Sequence, residues 1–285
     1  MLRTLEEVLK PARAGGYAVG AFEFWSLDSA QAIVEAAETV GAPVILQAGP
    51  FEIEFAGLQA LSEIALRVAD NSQAEVALHL DHGDTIDLAA AAIDAGFTSV
   101  MIDASALPYE ENRDVTRRVV ELARPRGVSV EAELGRLAGA EARSDVSEED
   151  AMQTDPEEAR RFVEETDVDA LAVAVGTAHG LYAYEPKLNL ARLAEVASKV
   201  AVPLVLHGGS GTPDNQVAEA IQLGIAKVNV CTEFIAAFGR AYAAAQEERS
   251  FKYNVPALFG AGKAAARELA AAKIRLFAGT NERWA

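Results

Sequence analysis

Residues 76–85 read VALHLDHGDT, an apolar run that ends in two histidines and two aspartates. Ionisable groups at the end of a buried strand are costly unless a ligand, a metal or a reaction uses them. The chain has four histidines, and each stands at the end of such a run. His79 and His82 close this one, His179 follows AVAVGTA, and His207 ends PLVLH. A lone histidine on an apolar strand is more often a hydrogen-bonded core residue than a ligand. Four at equivalent strand ends, with none elsewhere, favour chemistry. Three neutral imidazoles with an open fourth position make a catalytic zinc site. Cys231, the only cysteine, reads as a small buried residue rather than a ligand.

Carboxylates share these strand ends. Asp81 and Asp84 are local, Asp103 closes MID, Glu131 and Glu133 alternate in VEAEL, and Glu141 lies in a long polar segment. Asp84 reads as the N-cap of the helix IDLAAAAIDAG. Asp103 and Glu133 read as partners of a metal-bound imidazole or as a second metal position. Two further turns, His207 to Thr212 (HGGSGT) and Asn229 to Thr232 (NVCT), follow the last two apolar runs. Backbone N–H groups and hydroxyls in such turns, opening onto helix N-termini, can replace the water around a phosphate.

These groups need a frame. Eight short runs read as strands: YAVGAF from Tyr17, PVILQ from Pro43, VALHL from Val76, TSVMID from Thr98, VSVEAEL from Val128, ALAVAV from Ala170, PLVLH from Pro203 and IAKVNV from Ile225. Helical patterns alternate with them, and Gly41, Gly96 and Gly224 stand where helices should end. The alternation predicts an α/β fold, a (β/α)8 TIM barrel, with a doubly wound sheet as the rival. No linker or composition break divides the chain, so residues 1–285 read as a single barrel domain. Leu2, Leu5, Val8 and Leu9 predict a short helix covering one end, and the Ala-rich region from Glu233 onward predicts extra C-terminal helices. The stretch from Gly135 to Pro156 has no apolar period and is either a solvated excursion or a lid.

A formal charge of −18 disfavours nucleic acid and anionic membrane surfaces as partners. One cysteine excludes an internal disulfide, and the N-terminus lacks the apolar core of a signal peptide. A cytoplasmic location is the expectation.

Taken together, HLDHG, MIDAS, VEAELGRLAG, VGTAHGLY, LVLHGGSG and KVNVCTE resemble, in order and spacing, the class II (zinc-dependent) ketose-bisphosphate aldolases, from about Tyr17 to Glu233. The resemblance implies metal ligands His82, His179 and His207, with His79 a structural neighbour. It implies Asp81 as the acid/base on the C4 hydroxyl and Glu141 as the group moving the proton on dihydroxyacetone phosphate. Gly180, Gly208, Gly209, Ser210, Asn229, Val230, Cys231 and Thr232 would hold that product's phosphate. Asp103 and Glu133 would host a displaced metal. The implied cofactor is Zn2+, with a second metal position and a monovalent cation beside the phosphate in some members. The implied substrate is a phosphorylated sugar, fructose 1,6-bisphosphate or tagatose 1,6-bisphosphate cleaved to dihydroxyacetone phosphate and glyceraldehyde 3-phosphate. The implied assembly is a homodimer or homotetramer.

Departures from the family pattern concern the aldehyde half. Where relatives have a segment like FNVNN, this chain has AFEFWS, placing Glu23, Trp25 and Ser26 there. After the second run it has Gln47-Ala48-Gly49-Pro50 instead of a serine. SFKYNVPALFGAG has no arginine for a second phosphate; Lys252 would give a point charge without the bidentate fork. A different aldehyde without a phosphate is therefore the alternative. Two rival chemistries are an imine on Lys227, which shares a strand face with Asn229, and phosphosugar binding without catalysis.

Overall fold

The computed structural model describes residues 1–135, 139–141, 144–146, 153–177, 186–248 and 254–279. All eight expected strands form, in chain order Val19–Glu23, Val44–Ala48, Val76–Gly83, Ser99–Ile102, Ser129–Leu134, Ala170–Val173, Leu204–Leu206 and Ile225–Val230. Each runs parallel to its neighbours, and the eighth returns to the first, Lys227 opposite Val19 and Val230 opposite Phe22. The sheet closes on itself as a (β/α)8 barrel, and the doubly wound alternative falls away.

Helices between the strands begin and stop where local chemistry dictates. Gly41 and Gly96 take left-handed φ values of 77° and 98° as C-caps, a conformation that costs glycine least. The helix Ile86–Ala95 is capped by Thr85, whose hydroxyl accepts from Leu88 N at 3.2 Å, and not by Asp84. Extended backbone at Thr85 aims its side chain at the open N–H, so the cap falls one residue later than the sequence suggests. The N-terminal helix also starts later than expected. Leu2–Arg3 pairs with Val76 and Ala77 as a short strand, and Thr4 then opens the helix Leu5–Gly15 with a capping box to Glu7. That strand lies beside the start of the third barrel strand, because the fourth pairs with it only from His79 on. The expected C-terminal helices run Thr232–Glu247 and Val255–Ala278.

Strand alternation builds the interior in layers. At the bottom Val19, Ala21, Ile45, Ala77, Ala170 and Val205 pack with Leu5, Val8, Leu9 and Ala12 of the N-terminal helix, which therefore covers that end. Two residues further along the strands the inward positions turn polar: His79, Glu131 and Lys227, all fully buried. The strand ends bring Glu23, Gln47, Asp81, Asp103, Glu133, His207 and Asn229 to the mouth. The larger apolar cluster lies between the strands and the outer helices. Among the described residues no helix is long and apolar enough to cross a membrane.

The Gly135–Pro156 segment contains an element that the sequence reading lacked. Gly139–Glu141 and Ser144–Val146 pair antiparallel, Glu141 opposite Ser144. Without apolar alternation, so short a hairpin leaves no sequence signal.

Candidate active site

The third strand sets the geometry of the mouth. Regular alternation would point Asp81 inward and His82 outward. Between Leu80 and Gly83 the pairing with the fourth strand shifts register, and His82 takes φ 43°, rare for a residue with a Cβ. Consecutive residues thereby both reach the mouth. Strain of this kind persists where the surroundings over-determine it, commonly at functional sites.

His82 and His207 meet edge to face, ring centroids 4.5 Å apart. His82 Nδ1 lies 2.9 Å from Asp103 Oδ2, and His207 Nε2 lies 2.9 Å from Glu131 Oε1. A carboxylate only accepts, so each ring donates its N–H outward. The remaining nitrogens, His82 Nε2 and His207 Nδ1, face each other at 2.7 Å. Converging lone pairs need a cation between them. A proton can serve: burial alone would lower His82, but Asp81, Asp103 and Glu133 together push it up to about 10. A divalent metal suits the same donors, since Asp81, His82 and His207 each bring a ligand atom within 4.8 Å of the others. His82, Asp103 and Glu133 form a second such group. There Glu133 Oε2 is buried without a hydrogen-bond partner among the described residues. Burial and then the Asp103 charge raise the Glu133 acid well above the usual range. Ser105 fixes Asp103 from behind through N–H and hydroxyl bonds of 3.1 and 2.7 Å.

Asp81 is held by amides. Gln47 Nε2 donates to its Oδ2 at 2.8 Å, and Asn229 Nδ2 lies 3.1 and 3.2 Å from its two oxygens. Gln47 also donates to Glu23 Oε2 at 2.9 Å. In the sequence Gln47 stands only where relatives have a serine. The signal that could have found its role is register, which sets Glu23 opposite Gln47 on adjacent strands.

His79 sits one layer down, its Nδ1 2.9 Å from Ser99 Oγ and its Nε2 3.2 Å from Lys227 Nζ. Burial, then the lysine charge, keeps it neutral well below the usual histidine range. Lys227 donates to Glu131 Oε2 at 2.8 Å. Its amine is buried, ion-paired and beneath the mouth, a poor position for an imine nucleophile.

Of the expected phosphate groups, Gly208, Gly209, Ser210, Asn229, Val230, Cys231 and Thr232 all lie where strands seven and eight end. Their parts differ. Gly209 spends its N–H on the Asn229 carbonyl at 3.1 Å, and a Cβ there would lie 2.6 Å from that oxygen. It serves close backbone approach and offers no free N–H. Ser210 Oγ accepts from Glu233 N at 3.2 Å and keeps its own proton to donate. Cys231 is the residue before the helix Thr232–Glu247, with its thiol pushed up by burial and then by Glu23, Glu52 and Asp81. His179 and Gly180 lie outside the described residues, as do Lys252 and the Glu141 side chain. Trp25 does not crowd the mouth: its ring packs on Phe234 and Phe238 at 5.8 and 5.5 Å. Ser26 caps the helix Leu27–Val40.

A family model described as fructose-bisphosphate aldolase class-II matches residues 3–282. The chain is 44% identical over 279 residues to a 6-phospho-5-dehydro-2-deoxy-D-gluconate aldolase of Halalkalibacterium halodurans, covering 97% of this chain and 96% of that protein. It superposes on the crystal structure of the YdjI aldolase from Escherichia coli K12 with TM-score 0.89 and 34% identity over 100% of both chains. A Campylobacter jejuni fructose-bisphosphate aldolase, 22% identical with TM-score 0.78, covers 97% of this chain and 95% of its own and shares the fold. A match so nearly end to end, in sequence and in backbone, makes this chain a member of the class II fructose-bisphosphate aldolase family and an aldolase.

Proposed function

We propose that the chain is a divalent-metal-dependent aldolase that cleaves a ketose phosphate into dihydroxyacetone phosphate and an aldehyde carrying no second phosphate. The observation that carries the metal is the pair of imidazole nitrogens meeting at 2.7 Å with their other nitrogens committed to carboxylates. His82 and His207 would hold the ion with His179, and Asp103 with Glu133 would offer an alternate position. When bound, such an ion supplies a Lewis acid for negative charge developing on the ketone oxygen. Asp81 takes the proton from the hydroxyl on the carbon that leaves as aldehyde, with Gln47 and Asn229 fixing its oxygens. Ser210 and the first turn after Cys231 receive the retained phosphate.

The aldehyde side supports the absence of a second phosphate: Glu23 stands there, and Lys227, the lysine near Asp81 among the described residues, is tied to Glu131. The substrate named for the H. halodurans relative carries one phosphate, beside its ketone. Retro-aldol cleavage of that skeleton gives dihydroxyacetone phosphate. Fructose and tagatose 1,6-bisphosphates are the second reading, favoured by the family description.

A chelator should abolish cleavage, and zinc or cobalt should restore it. Borohydride with substrate should leave no adduct on Lys227; a trapped lysine peptide would replace this mechanism by an imine one. The substrate test is a panel of the two bisphosphates, their 1-monophosphates and 6-phospho-5-dehydro-2-deoxy-D-gluconate. A bisphosphate cleaved at about 10⁴ M⁻¹s⁻¹ or faster, ordinary enzyme efficiency, and well ahead of every monophosphate would overturn the phosphate-free aldehyde. Glu141→Gln should slow tritium exchange on dihydroxyacetone phosphate by roughly a hundredfold; exchange at the wild-type rate removes Glu141 from the mechanism.

A further inference from the structure

The wall of the mouth between strand eight and strand three is built by strands one and two, and its polar atoms are of one kind. Gln47, fully buried, spends both amide hydrogens on Glu23 and Asp81. Gly49 N donates to Glu23 Oε1 at 2.6 Å and to Glu52 Oε2 at 3.2 Å. Asn229 spends its amide hydrogens on Asp81. What remains is three carboxylates and two amide oxygens, Gln47 Oε1 and Asn229 Oδ1, both buried and without a donor among the described residues. No lysine or arginine among the described residues pairs with Glu23 or Glu52. The wall is short of hydrogens and rich in negative charge. Burial, then the charges of Glu52 and Asp81, raise the Glu23 acid well above the usual range.

We propose that Glu23 is a specificity-determining residue: it crowds a third carboxyl group into a wall whose buried amide oxygens lack donors among the described residues, so the aldehyde half of the substrate is an uncharged fragment bearing hydroxyl groups. The inference rests on the aldolase reading above. Hydroxyls donate to the orphaned amide oxygens and carboxylates, whereas a phosphate or carboxylate brings only acceptors and more negative charge. Buried acceptors left without a donor make a site reject the fragment that lacks the hydroxyl. Of the three residues that depart from the family pattern after strand one, Glu23 alone faces the mouth, since Trp25 packs on helix aromatics and Ser26 caps a helix. Such a wall would separate this chain from an aldolase whose leaving fragment is an oxo acid.

The test is condensation of dihydroxyacetone phosphate with glyceraldehyde, glyceraldehyde 3-phosphate and 3-oxopropanoate, using metal-loaded wild type, Glu23→Gln and Glu23→Asp. Wild type should use glyceraldehyde at least tenfold better, by kcat/KM, than either anionic aldehyde. Glu23→Gln should shrink that preference tenfold or more, chiefly through KM for the aldehyde, and Glu23→Asp should keep it. An equal loss for all three aldehydes in Glu23→Gln makes Glu23 structural and overturns the inference, as does a wild-type preference for an anionic aldehyde. In both cases dihydroxyacetone phosphate chemistry persists and the aldolase reading stands. If no ketose phosphate releases dihydroxyacetone phosphate, that reading falls and the inference with it.

Discussion

Asp81→Asn should lose carbon–carbon cleavage by roughly a hundredfold to ten-thousandfold, the range for a positioned acid/base group, while retaining proton exchange on dihydroxyacetone phosphate. The substitution removes the acceptor for the hydroxyl proton and leaves the exchange step to another group. Structure should survive it. Asn229 has an amide oxygen with no hydrogen-bond partner among the described residues, so a flip of that amide can meet the new N–H of residue 81. Gln47 stays put, because its amide is anchored on Glu23 as well. A coupled assay for cleavage and tritium release for exchange read the two steps separately. Cleavage within tenfold of wild type would show that Asp81 is not the base.

Lys227→Met should destabilise the fold by about 3–5 kcal/mol, the usual result of leaving one partner of a buried ion pair uncompensated. Lys227 and Glu131 have no exposed surface, and their contact is 2.8 Å. Among the described residues Glu131 would keep the His207 N–H, at 2.9 Å, with His79 Nε2 at 3.5 Å. Adding Glu131→Gln should recover most of the loss, because the unpaired charge is then gone. Urea denaturation of chelated protein is the measurement, since a metal bound only by the folded state would add its own stabilisation. A single mutant within about 1 kcal/mol of wild type would mean that the carboxylate finds other support despite its burial.

The barrel was legible because its strands are apolar, β-branched runs whose last residues change character together, and its helices carry their own glycine stops. His82, Asp81, Asp103, Glu133 and His207 could be placed at one end of the barrel by that change alone. Other features depend on positions far apart in sequence or on a single dihedral. Nothing local in HLDHG announces that His82 adopts a positive φ and turns inward beside Asp81. The Lys227–Glu131–His79 layer joins strands eight, five and three, and only the register of a closed sheet brings them together. Asp84 failed as a cap because two adjacent residues can both accept an N–H, and the backbone at Thr85 decides between them.

The covered bottom of the barrel has a consequence in time. Below the site lie the charged layer and then the apolar floor under Leu5, Val8, Leu9 and Ala12. Every arrival and departure shares one doorway. Two fragments made side by side must queue to leave, and the next ketose waits for the slower of them. In a vessel of this shape the order of exit can set turnover alongside bond breaking.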